Sequence, residues 1–578
     1  MRAKHLLAFL AIVFVEGLLA EIVLLGMHFD AGRGHIFNYA NLRLALAGVF
    51  FLVLAALLVL FIIWLLAPKR ANRVISYLDE HLAGPKKRRF FFIFQGALIV
   101  ATAFLFECFL LTYLAFPIPT RPLFLWADLA CCEAWLVLRI AYADIYRESP
   151  SLLTSLRSKW NGLLPVQRKV FVILASIGLV YFLAFIPFNL LRNEYGKFYL
   201  LQDEQVIYPD VVKAFAPQAN FAATVQNVLG SWNWAYGYPY LPISASVLII
   251  PRLIFGEQFA EHVQLNIFLL RQFVSVLPMV LALMLAVYLV TRYKTVPGSV
   301  GMFVFLLLIP GVVKIGYRFW HPDSIILLLI LLTIYFLQKD ELRFGRYFYL
   351  AAAACGLTTA IKLWGLFFFL AIGGYLVAGL IEHKLPFKKL FLAGLLFVLT
   401  MLGTFILSSP SLLAPFIARG AVASWTDQQT KILLGPERID PTGYYKTTLS
   451  NWLKYFGQHF MKTYFFTFAY IALAAGALWG SRKRLNRILL AWCVPTTIFL
   501  AYFSAMKSFQ YMLPVAIPLY CGALLFPAIS ENPPYPKWLG FLDKPRTRKI
   551  IQWVTLAIFA SQFIINLVIL VLFAQRGR

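Results

Sequence analysis

The stretch Leu200–Asp210, LLQDEQVIYPD, sets Asp203 and Glu204 side by side shortly after 169–190, a segment long and apolar enough to cross a bilayer. Carboxylates at the mouth of a hydrophobic helix are costly to bury, so they mark the rim of a membrane-embedded cavity. The rest of the 578-residue chain agrees with that setting. It is 61% hydrophobic and 17% aromatic, and its 13% charged content is about half that of a soluble domain. The chain therefore reads as an all-α polytopic membrane protein.

The net charge of +27 does not point to nucleic acid, because the basic residues form short clusters such as PKKRR and SRKRLNR between hydrophobic runs. None of the six cysteines has zinc-ligand spacing, and adjacent Cys131 and Cys132 on a helix cannot form an ordinary disulfide. The opening run HLLAFLAIVFVEGLLAEIVLLGMHF is too long for a signal h-region and is expected to stay as a membrane helix.

At roughly 20 apolar residues per span, segments fall near 5–28, 42–67, 90–116, 122–144, 169–190, 268–291, 298–313, 322–338, 388–408, 460–480, 488–505, 508–529 and 550–573. The run 347–381 is long enough for two shorter helices meeting near Lys362, which makes about fifteen segments in all. With the N-terminus cytoplasmic, alternation puts 31 of the 52 Lys and Arg on the cytoplasmic side, the bias expected of such a topology. The two large loops, 191–267 and 409–458, then lie outside, with Asp203, Glu204, the turn KIGYRFWHPD (Lys314–Asp323), Lys362 and Lys507. Charges inside spans, among them Glu16, Glu21, Asp128, Glu133, Arg139 and Arg271, read as inter-helix pairs or as a relay.

Each outward motif has a chemical reading and a plainer one. Asp203 and Glu204 provide a general base and an orienting carboxylate, or merely cap the next amphipathic helix. In FWHPDSIILLL, Pro322 and Asp323 suit the first turn of a helix; alternatively His321 and Asp323 support a site in which Arg318 or Lys314 binds phosphate. Lys362, in GLTTAIKLWG, must snorkel or neutralise an anion. Trp232, Trp234 and Tyr238 in GSWNWAYGYPYLP, and Tyr444 in DPTGYYKTTLSNW, stack on sugars or sit in the membrane interface. The run GYPYLPISASVLIIPRLIFG is expected to form a helix lying partly in the interface, too broken by proline to span simply. No P-loop, Rossmann glycine pattern or zinc repeat is present, so no cytoplasmic nucleotide chemistry is expected.

The order of these motifs resembles the GT-C glycosyltransferases, in the branch of protein O-mannosyltransferases and the aminoarabinose and lipopolysaccharide-core transferases. Over 169–530 the resemblance rests on the outward carboxylate pair, the YGYPYLP…RLIFG helix, Pro322-Asp323, GLTTAIKLWG and KSFQYMLPVAIP. It implies a GT-C-like transmembrane core with interfacial helices in its large outer loops. Residues 1–168 would form an N-terminal accessory module of four spans, and 531–578 a cytoplasmic loop and final span. It also implies transfer of a sugar from a polyprenyl-phosphate-linked donor to a glycan, lipid or protein acceptor on the extracytoplasmic face, with inversion and no essential cofactor. Asp203 would be the base with Glu204 beside it. Lys507, Arg318 and Lys362 would hold the donor phosphate, and His321, Asp323, Gln510 and Tyr511 would support the site. Gln510 stands where the family carries a basic residue, so Lys507 is expected to substitute for it. No metal site is expected. The tail FAQRGR and the lack of a retention signal point to a bacterial inner membrane. The alternative class is a transporter or flippase for a lipid-linked or polar solute, which uses intramembrane charges in the same way; no internal repeat of broken helices favours it.

Overall fold

The computed structural model describes residues 85–112, 121–141, 160–190, 202–230, 236–317, 319–409, 448–480, 482–505, 508–526 and 544–576, with short pieces between 52 and 62, at 157–158, 412 and 540, and within 423–434. The chain divides into two compact units, 1–162 and 163–578. In the first, α1 (Pro85–Leu111) pairs with α2 (Arg121–Ala141), and Gln95 donates to the Trp135 carbonyl at 3.2 Å. The expected spans 5–28 and most of 42–67 lie outside the described residues, as do Glu16 and Glu21.

The second unit runs α3 (Pro165–Leu190), α4 (Gln202–Lys213), α5 (Phe221–Gly230), α6 (Tyr240–Phe255), α7 (Val263–Thr291), α8 (Val296–Leu307) and α9 (Pro310–Gly316). It continues through α10 (Asp323–Asp340), α11 (Arg346–Ile361), α12 (Leu363–Ile381), α13 (Phe387–Leu407), α14 (Leu449–His459), α15 (Thr463–Trp479), α16 (Lys483–Phe503), α17 (Phe509–Leu524) and α18 (Pro545–Arg576). No strand occurs among the described residues. Eight described helices are long and apolar enough to cross a membrane, or up to ten if α8–α9 and α14–α15, bent by 66° and 100°, each count as one. The protein is thus an all-α integral membrane protein with many spans. Its lipid-facing surface is apolar: Leu253 and Phe391 are 78% and 79% exposed, an arrangement a water-soluble bundle could not sustain.

Prolines shape the core without dissolving it. Pro514 and Pro518 both lie inside α17. Pro518 has no N–H to offer the Pro514 carbonyl one turn earlier, and the indole of Trp492 on α16 donates to that oxygen at 2.8 Å instead. Trp492 also stacks on Phe368 of α12, with centroids 4.2 Å apart, so one side chain ties three helices together. The final helix α18 belongs to this second unit: Gln562 accepts from the Lys462 amide at 3.1 Å, and Phe559 packs on Phe305 and Phe465.

Residues 346–381 form two helices broken at Lys362, whose backbone is extended (φ −161°, ψ 142°). The expectation that prolines break the segment around 240–256 is corrected: Pro242 sits in the first turn and Pro251 inside a continuous α6, which together with the following 3₁₀ turn is long enough to cross a membrane. Both ends of this segment nevertheless meet one group of residues. Tyr240 stacks on Trp320 at 5.7 Å, and Ala260 accepts from the Tyr208 hydroxyl of α4 at 3.5 Å.

Candidate functional site

The site is built where α4, α7, the turn 319–322 and the break at Lys362 converge. Asp203 and Glu204 occupy the first turn of α4, where the helix dipole favours carboxylates. Glu204 is completely buried and takes both oxygens to Arg271, from Nε at 2.8 Å and from Nη2 at 2.5 Å. It accepts a third bond from the Trp320 amide at 2.9 Å, while Arg271 Nη1 reaches the Asn189 carbonyl at 3.4 Å. A two-pronged guanidinium–carboxylate pair of this kind fixes geometry as well as neutralising charge. Glu204 is therefore enclosed and fully engaged, which makes it an anchor and removes it as a solvent-facing base.

Arg271 opens a π-helical turn, Arg271–Val276, inside the otherwise regular α7. Such turns cluster at functional positions because the extra residue re-aims side chains. Ser275 of that turn accepts from the His321 amide at 3.1 Å and donates to the His321 carbonyl at 3.3 Å, which ties the Phe319–Pro322 turn to α7.

From His321 a second chain of contacts runs outward. Its Nε2 meets the Tyr236 hydroxyl at 2.7 Å, and its Nδ1 pairs with the Asp323 carboxylate. The other Asp323 oxygen receives the Lys362 ammonium at 3.1 Å. His321 and Asp323 are buried, whereas the Lys362 side chain keeps 12% exposure. Among the described residues Lys362 has one acceptor for its three N–H bonds, and its ammonium lies 4.6 Å above the Tyr511 ring. Lys314 behaves in parallel: its ammonium lies 4.6 Å above the Phe509 ring and meets no carboxylate among the described residues. The Phe509 ring in turn contacts His459 at 5.8 Å and Phe319 at 5.7 Å, and Phe319 stacks on His321. Two cations thus rest on rings two residues apart at the start of α17, an end that itself carries positive dipole.

The extended break at Lys362 is held by the aromatic loop ahead of α6. Gly237 donates to the Ile361 carbonyl at 2.9 Å, and a Cβ at 237 would fall 1.5 Å from the Ala360 oxygen, so only glycine allows this approach. Tyr238 follows in the turn that leads into α6. The amide of Gln510 accepts from the Ser508 hydroxyl at the head of α17. In α4, burial pushes the Tyr208 hydroxyl above its usual range, an effect partly offset by the bond it receives from Asn266 at 2.9 Å.

Of the residues expected from sequence, Glu204, His321, Asp323, Lys362 and Tyr511 thus fall along one connected set of contacts, and Asp203 and Gln510 adjoin it in the chain. Arg318, Lys507, Trp232, Trp234 and Tyr444 lie outside the described residues. Sequence reasoning missed Arg271 as the partner of Glu204, Tyr236 as the partner of His321, and His459 beside Phe509. Arg271 did carry a signal: it is the only charged residue in Val263–Thr291, and a lone buried cation requires an anion. Among the described residues no three His, Cys, Asp or Glu side chains are grouped as metal ligands would be. No protein-family model matches the chain, and no curated protein is detectably similar to it.

Proposed function

We propose that the protein is a membrane glycosyltransferase of the GT-C kind, which moves a sugar from a polyprenyl-phosphate donor to an acceptor outside the cytoplasm, in a bacterial inner membrane. The observation that carries this reading is the pair of ammonium groups, Lys314 and Lys362, resting on Phe509 and Tyr511 at the start of α17. Both retain donors for an anion, and a phosphate leaving group needs its developing charge met by fixed cations. Lys362 is further oriented by Asp323, itself held by His321 and Tyr236. Lys507 and Arg318 are nearby in sequence and complete the donor-phosphate set in this reading.

The base is Asp203. The three bonds made by Glu204 fix the first turn of α4, and with it the backbone of Asp203, so Glu204 acts as a positioning residue. In the reaction the acceptor oxygen attacks the anomeric carbon, the bond from that carbon to the phosphate oxygen breaks, and the acceptor proton passes to Asp203. A single displacement inverts the anomeric centre. Trp232, Trp234, Tyr238 and Tyr444 provide aromatic faces for sugar or acceptor.

The test is a transfer assay in nanodiscs with a panel of polyprenyl-phosphate sugars, following release of free polyprenyl phosphate. Wild type is expected to release it, and Asp203→Asn to lose at least a hundredfold in turnover while eluting as the same monodisperse species. Equal release by both proteins would take the base away from Asp203. Absence of release across the panel, with solute flux into vesicles, would turn the reading to a transporter.

A further inference from the structure

A different part of the molecule carries a separate site. Between α12 and α16 an open groove of about 480 Å³ runs along the outside of the bundle, with Leu370 on one wall and a stripe of α16 from Arg487 to Ile498 on the other. Leu490, Ala491, Val494 and Pro495 lie along that stripe at helical spacing, so the groove follows a single helix face. From Arg487 to Ile498 the helix rises about 16 Å, close to half of a hydrocarbon core about 30 Å thick. The groove is therefore one leaflet long. Its depth comes from Ala491, which is small, and from Pro495 inside α16, whose ring cannot pair with the carbonyl one turn earlier.

One end of the groove is cationic. Arg487 is 52% exposed; its Nε donates to the Ala477 carbonyl at 3.1 Å, and its Nη1 lies 3.8 Å from Glu382. Arg484 reaches the same carboxylate at 3.3 Å, so two guanidinium groups share one negative charge. Lys483, one residue earlier, is exposed and has no acidic partner among the described residues. An apolar trough one leaflet long that ends in surplus positive charge has the shape and polarity of one phospholipid with a negative headgroup.

We propose that this groove binds an anionic diacyl phospholipid from the leaflet bordering loops 382–389 and 481–487, with its phosphate at Arg487 and an acyl chain along Ala491 to Ile498. The assignment is independent of the transferase reading.

The experiment is native mass spectrometry of the full chain in mild detergent, offered phosphatidylglycerol or phosphatidylcholine with identical acyl chains. Wild type is expected to retain one phosphatidylglycerol with about fivefold preference over phosphatidylcholine. Arg487→Gln should abolish the preference, and Ala491→Phe should exclude both lipids. Val494→Trp, at a more exposed position of the same α16 wall, serves if Ala491→Phe does not fold; each variant is first matched to wild type in lipid-free melting temperature. Equal retention of the two lipids by wild type, or retention untouched by every variant, would overturn the site. Displacement of phosphatidylglycerol by equimolar polyprenyl phosphate would replace the phospholipid with that ligand.

Discussion

Glu204 and Arg271 show how a charge survives inside a protein of this composition. Each is fully buried, and each would be expensive alone. Together they exchange two hydrogen bonds, and the leftover capacity goes to the Trp320 amide and the Asn189 carbonyl. Removing one partner leaves an uncompensated charge or an orphaned amide. Glu204→Gln and Arg271→Met are each expected to cost about 3–5 kcal/mol of stability. The double variant should lose clearly less than the sum, because neither charge is then left alone. Thermal unfolding in detergent reads both outcomes, and additive losses would mean that the pair does not act as a unit. The presence of a lone arginine in α7 was legible in the sequence. Its partner was not, because 67 residues separate them and no local pattern encodes that contact.

At the scale of elements, the break between α11 and α12 was legible because a lysine in the middle of 35 mostly apolar residues cannot stay in lipid without an exit. What the break is for depended on the neighbouring loop. Gly237 presses against the Ala360–Ile361 backbone, and Tyr236 beside it reaches His321. Gly237→Ala would drive a methyl group into a backbone oxygen that has little room to retreat. A loss of about 3 kcal/mol in stability is expected, measured by thermal unfolding, together with, on the proposed transferase reading, weakened donor binding as the extended break at Lys362 shifts. An unchanged melting temperature would show that the loop can move aside freely. The opposite lesson comes from α6. Counting prolines marked it as broken, yet Pro242 occupies a first turn, where no N–H is needed, and Pro251 is accommodated within the helix.

For the whole molecule, the division at 162–163 separates two units. Within 163–578 the described helices complete one another's hydrogen bonds, as Trp492 does for α17 and Tyr520 for the Phe460 carbonyl. A chain beginning at Leu163 is therefore expected to insert, remain monodisperse by gel filtration and unfold cooperatively. Removal of an even number of spans, four by the sequence reading, would also keep its sidedness. Aggregation of that chain would show that residues 1–162 supply part of its core.

Hydropathy and charge in the sequence were enough to fix the solvent of this protein and its helical class; of the roughly fifteen segments expected, eight to ten helices among the described residues are long and apolar enough to span, and one of these, 240–261, was not expected as a span. Hydropathy and charge are properties of short segments, and lipid tolerates few ways to satisfy a backbone other than helices. The sequence also marked the adjacent carboxylates, the histidine-proline-aspartate turn and the lysine at 362 as chemically unusual. Which of the two adjacent carboxylates is committed to an anchor, and that Lys314 and Lys362 meet rings at the start of α17, emerged from the packing of distant helices. Those outcomes depend on helices distant in sequence meeting at one level, where a contact of a few ångströms determines whether a charge is neutralised internally or left without a carboxylate partner.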